Sequence, residues 1–126
     1  MYKQYNSNPD GNNAIDCTVR AIGTALGQDW DTTYLGVCLE GYCLKDMPSA
    51  NHVWGSYLRR KGFVRNIIPN DYPDYYTVAD FCADNPKGIF ILALSSHVVP
   101  VIDGVYYDTW DSGDKVVNYY WQRKEN

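Results

Sequence analysis

Cys17, His97 and Asp108 are the three residues of this chain whose types, taken together, can perform nucleophilic chemistry. A thiol becomes an effective nucleophile when a base within hydrogen-bond reach takes its proton and a third group holds that base in one tautomer. Cys17 opens a run in which Val19, Ala21, Ile22, Ala25 and Leu26 recur at the spacing of one helical face. The spacing predicts a helix with the thiol in its first turn, where unpaired N–H groups and the positive end of the helix dipole favour thiolate. His97 begins a strand-like run at residues 97–102, and Asp108 lies in the next, residues 105–110, across an Asp103-Gly104 turn. At about equal distances from that turn, imidazole and carboxylate are expected to face each other across an antiparallel ladder.

Each of these residues also has an ordinary structural role to weigh. A free cysteine is most often a small buried apolar residue, and a strand-end histidine commonly bonds to backbone. Asp111 and Asp114 compete with Asp108, but they fall in an Asp-Ser-Gly-Asp stretch where a turn itself favours Asp. The other histidine, His52, sits beside Asn51 within a predicted helix and is expected to be an exposed or groove-facing helix residue. An oxyanion needs donors; the Cys17 N–H is one, and Asn8, Asn12 or Asn13 is the candidate side-chain donor. Trp54 and Trp110 are candidates for the walls of a substrate groove, and Arg20, one turn along from Cys17, is expected to pair with an acid.

The elements that must position these groups follow from pattern and punctuation. Residues 1–16, rich in Asn with Asp, Ser, Gly and Pro, read as an irregular arm ending at Asp16, whose carboxylate is expected to cap the Cys17 helix. A second helix is expected from an Asp31 cap to about Gly41, with Tyr34, Leu35, Cys38 and Leu39 facing inward, followed by a loop over 42–48. A third begins at 49–51 and buries Val53, Trp54, Tyr57 and Leu58 before Gly62. Strands are expected at 63–69, at the continuously apolar 88–94, and at 97–102, 105–110 and 116–121. A Pro- and Tyr-rich connection over 70–76 leads to a Thr77-capped helix at 78–85. Helices first and then an antiparallel sheet make an α+β fold, and 126 residues make one domain.

Composition narrows the function classes. A net charge of −4 opposes a nucleic-acid backbone binder, which needs a basic surface, and Arg59-Arg60-Lys61 reads as a solvated helix face. No run approaches the ~18 apolar residues of a membrane span and the first residues lack a signal-peptide core, so a cytoplasmic protein with no membrane partner is expected. Four cysteines without CxxC spacing, and two histidines, are expected to be reduced thiols in a chain without metal or other cofactor.

The stretches Asn8-Pro9, Asp16 to Ile22, Val53 to Phe63, Ser96-His97-Val98-Val99 and Tyr107 to Asp114 resemble the papain-like cysteine peptidase superfamily, nearest small C39-like proteins of Gram-positive bacteria and their phages. The resemblance implies a papain-like fold with the Cys helix packed on the sheet that carries His and Asp. It implies nucleophile Cys17, base His97 and orienting Asp108, with a thioester intermediate. The chain departs from the pattern in two places: Thr18 follows the Cys where C39 peptidases have Gly, and Gly11 stands where papain-like enzymes usually carry a Gln. The expected activity is a cysteine-dependent hydrolase, peptidase or amidase, acting on a peptide or protein. The competing expectation is a non-enzymatic papain-like binding protein, such as a phage factor that binds a host protein.

Overall fold

The computed structural model describes residues 1–69 and 75–124, so the expected connection at 70–76 lies largely outside the described residues. Among the described residues, helices α1 (Cys17–Leu26), α2 (Trp30–Leu44), α3 (Asn51–Arg60) and α4 (Val78–Asp84) accompany strands β1 (Tyr2–Gln4), β2 (Phe63–Ile67), β3 (Ile89–Leu94), β4 (His97–Ile102), β5 (Val105–Asp108) and β6 (Tyr119–Arg123). The strands form one sheet in the order β1-β5-β4-β3-β6-β2. The fold is therefore α+β, but the sheet is mixed: β1 lies in the arm expected to be irregular and pairs with β5 in parallel, Gln4 opposite Asp108.

Strand alternation divides the apolar side chains between two cores. Ile91, Ala93, Val98 and Trp121 pack with Ala21, Ile22 and Ala25 of α1, Val37 of α2, and Val53, Trp54, Tyr57 and Leu58 of α3. Phe90, Leu92, Leu94, Val99 and Val101 pack on the other face with Val78, Phe81 and Cys82 of α4 and with Tyr106. The continuously apolar run of β3 is thus explained by burial on both faces.

The β4–β5 hairpin turns through Asp103 and Gly104, with φ of 50° and 78°, the two positive values that a tight hairpin matching strand twist requires. Its register pairs Val101 with Tyr106 and Ile102 with Val105. Continued outward, that register sets Asp108 opposite Val99 and Trp110 opposite His97. Asp108 is thus diagonal to His97 rather than directly across from it as expected.

Other boundaries and faces also differ from expectation. The last strand begins at Tyr119 because the residues before it are engaged elsewhere: the Val78 and Val117 N–H groups donate to Lys115 and Tyr76 carbonyls, binding that segment to the entry of α4. Helix α2 is capped by Asp29, not Asp31, and runs past Gly41 to Leu44. It also turns the other face inward. Thr33, Val37, Glu40 and Gly41 are buried, whereas Leu35 and Leu39 are 67% and 63% exposed. The reason is the fit with α3: a Cβ at Gly36 would stand 2.7 Å from the Tyr57 ring, so the helices approach over glycine, and Glu40 accepts hydrogen bonds from Ser56 and Arg60. Arg60 of the basic cluster is therefore a partner of Glu40, and Arg59 and Lys61 lie over the Trp121 and Tyr57 rings.

Among the described residues no helix is long and apolar enough to cross a membrane. Leu58, fully buried between α3 and the sheet, gives a test of this core: Leu58→Ala is expected to lower stability by ~2–5 kcal/mol in urea unfolding, while the native protein keeps its Cys17 reactivity.

Candidate functional site

The site forms where the start of α1 meets the start of β4 and the end of β5. The tight Ser95-Ser96 turn ends β3 and delivers His97 as the first residue of β4, opposite Leu94. His97 Nε2 lies 2.7 Å from Asp108 Oδ2, which leaves Nδ1 as the ring nitrogen for the Cys17 thiol, a neighbour in the lining of the same cleft. Trp110 covers the imidazole from outside, its ring centroid 4.8 Å from that of His97.

Asp108 is almost fully buried and correspondingly well supplied with donors. Oδ2 accepts from Ser112 Oγ at 2.8 Å and Oδ1 from the Thr109 N–H at 2.8 Å. The Arg20 guanidinium stands 3.6 Å from Oδ1. The main-chain carbonyl of Asp108 accepts from the Tyr5 N–H, so the N-terminal arm helps to hold the carboxylate in place.

These neighbours set the protonation states. Burial pushes the Cys17 thiol up, but the His97 hydrogen bond and charge, the Val98 N–H and the Arg20 charge outweigh it and hold the pKa below the ordinary thiol value. Burial pushes His97 down, yet Asp108 and Cys17 raise it to about 9. Burial also pushes Asp108 up, and its bonds from His97 and Ser112 bring it below the usual carboxylate range. The result is a thiolate–imidazolium pair over the window between the lowered thiol pKa and about 9. Cys82, by contrast, is pushed by burial to about 11.

Asp16 does not cap α1 with its side chain. Its carboxylate is drawn instead to Arg20 Nε at 2.7 Å, Trp30 Nε1 at 2.9 Å and Asn8 Nδ2 at 3.2 Å. Arg20 therefore bridges Asp16 and Asp108, tying the helix start to the orienting carboxylate. The diversion leaves the first-turn N–H groups of α1 without a side-chain cap, at the residues that line the cleft.

That cleft, about 440 Å³, is lined on its apolar side by Trp54, Leu94, Val98 and Tyr119 around Cys17 and His97, and on its polar side by Ser49, Asn51, Ser96 and Asn118. Of the expected side-chain oxyanion donors, Asn8, Asn12 and Asn13, none lines it. Asn8 is buried and shapes the arm, its Oδ1 accepting from the Asp10 and Asn12 N–H groups; Asn12 and Asn13 are exposed. Two side-chain amides line the cleft: Asn118, whose Nδ2 donates to Ser95 Oγ at 3.4 Å, and Asn51, whose Oδ1 accepts from Trp54 Nε1 at 3.2 Å and whose NH₂ end is thereby turned away from the indole. The one sequence signal of Asn51 was position, three residues before Trp54 on the same helix face. Trp54 lines the cleft as expected, and Trp110 sits on His97 instead of in the lining. His52 pairs with Asp46 at 3.1 Å on the exposed surface. Asp111 accepts from the Tyr106 hydroxyl and the Gly113 N–H, the turn role expected of it. A larger open groove of about 640 Å³ between Lys87 and the end of β6 lies apart from this chemistry and has no thiol or imidazole in its lining.

Iodoacetamide labelling with mass-spectrometric assignment checks the ion pair. Cys17 is expected to label at pH values below its ordinary range, with Cys82 unlabelled. In His97→Ala the labelling rate at about pH 6 is expected to fall, because losing the imidazole raises the thiol pKa toward its ordinary value and removes thiolate. Equal labelling of Cys17 in both proteins would show that the imidazole does not activate the thiol.

Compared with protein-family models, curated proteins and solved structures, the chain gives no match.

Proposed function

We propose that this chain is a cysteine-dependent hydrolase, a peptidase or amidase of papain-like architecture akin to the small C39-like proteins. The observation that carries the reading is the 2.7 Å contact of His97 Nε2 with the buried Asp108, beside Cys17 in the lining of one cleft. In this reading the Cys17 thiolate attacks an amide carbonyl carbon while the imidazolium retains the thiol proton. The carbonyl oxygen becomes an oxyanion received by the uncapped N–H of Cys17 and the NH₂ of Asn51. The C–N bond then breaks, His97 gives its proton to the departing amine, and a thioester remains on Cys17. Water, deprotonated by His97, attacks that thioester; its collapse releases a carboxylic acid and restores the thiol.

Apart from the Cys17–His97 pair, the described residues that line the cleft include no Asp, Glu, Lys or Arg. Uncharged amides and hydroxyls beside apolar walls suit a peptide backbone with small or apolar side chains better than a polyion.

A fluorogenic peptide library tests the reading. Hydrolysis is expected for uncharged sequences, to vanish in Cys17→Ala, and to lose about 10²–10³ in kcat in Asn51→Ala if that amide receives the oxyanion. Asp108→Ala is expected to reduce kcat strongly while leaving substrate KM little changed. Tight binding of a peptide that is never cleaved, with equal affinity in Cys17→Ala, would instead identify a binding protein.

A further inference from the structure

From the exposed face of α2 we infer that this chain forms a two-fold dimer, with α2 packed antiparallel against α2 of a second copy. The inference does not depend on the chemistry at Cys17. Helix α2 is apolar on both sides: Val37 faces the core, while Leu35, Leu39 and Tyr42 form an outward stripe, 67%, 63% and 71% exposed, at the i, i+4, i+7 spacing of a helix–helix seam. Tyr34 and Met47 widen the stripe, and Tyr34 is stiffened by stacking on Trp30 at 4.9 Å. A helix apolar all round is ordinarily buried all round, and here the glycine-lined face has already been used against α3.

A second copy is the occupant because the charges on the stripe complement one another end to end. Asp31 lies exposed in the first turn and Lys45 exposed just after the last, its Nζ above the Tyr42 ring. An antiparallel pair with its axis near Cys38 sets Asp31 beside Lys45 of the second copy at both ends, and Tyr34 beside Tyr42. Leu35 and Leu39 of the two copies then interdigitate at the centre. Antiparallel alignment also opposes the two helix dipoles favourably.

Sedimentation equilibrium of the whole chain over micromolar concentrations tests this. A concentration-dependent dimer is expected, and Leu35→Glu is expected to raise its dissociation constant about tenfold or more, with Cys17 alkylation unchanged. Asp31→Lys should weaken the dimer, and Asp31→Lys combined with Lys45→Glu should restore it. Copper-catalysed oxidation is expected to cross-link Cys38 to Cys38 in the dimer and to lose that product in Leu35→Glu. A monomer at every concentration, or a dimer indifferent to Leu35→Glu, would overturn the inference; failure of the charge exchange to restore association would overturn the antiparallel arrangement.

Discussion

A carboxylate removed from water costs several kcal/mol unless its oxygens find charge and donors inside the protein, and Asp108 is the buried carboxylate on which this structure depends. Its neighbours come from different parts of the chain: His97 from β4, Ser112 and Thr109 from the loop after β5, Arg20 from α1. Satisfying that charge draws those elements to one point. The same contacts hold the imidazole in one orientation, so a requirement of stability and a requirement of chemistry are met by one arrangement.

The second charged centre, Asp16, works through the first. Its carboxylate accepts from Asn8, Trp30 and Arg20, and Arg20 also reaches Asp108. The N-terminal arm, the beginning of α2 and the beginning of α1 are thus tied to the strand hairpin by a line of charge-assisted bonds. A helix start that spends its preceding Asp on such a network goes without the usual side-chain cap. In return its first N–H groups stay available at the mouth of the cleft, beside a thiol that the same helix end favours as thiolate.

The contrast between α1 and α2 shows where pattern reading works. In α1 and α3 the apolar residues occupy one face, so burial follows the sequence spacing: Ala21, Ile22 and Ala25, then Val53, Trp54, Tyr57 and Leu58, are all in the core. In α2 apolar residues lie on both faces, and periodicity cannot choose between them. Two features decided the orientation that hydropathy does not rank: the space over Gly36 for the Tyr57 ring, and the need of Glu40 to meet Ser56 and Arg60.

Helix periodicity, strand alternation and Gly or Asp turns are written in near neighbours, so most local elements and the order of Cys17, His97 and Asp108 are legible from the chain alone. The extent of β4, the Thr77 capping box and the Asp103-Gly104 turn were all legible in this way. Which residues surround them follows from packing between elements. The pairing of β1 with β5, the diagonal placement of Asp108, the bond from Trp30 to Asp16, and the presence of Asn51 and Asn118 in the cleft instead of Asn8, Asn12 and Asn13 all join residues from different elements. Such contacts depend on register, sheet twist and the satisfaction of buried charge across elements, and none of these leaves a trace in the spacing of adjacent residues.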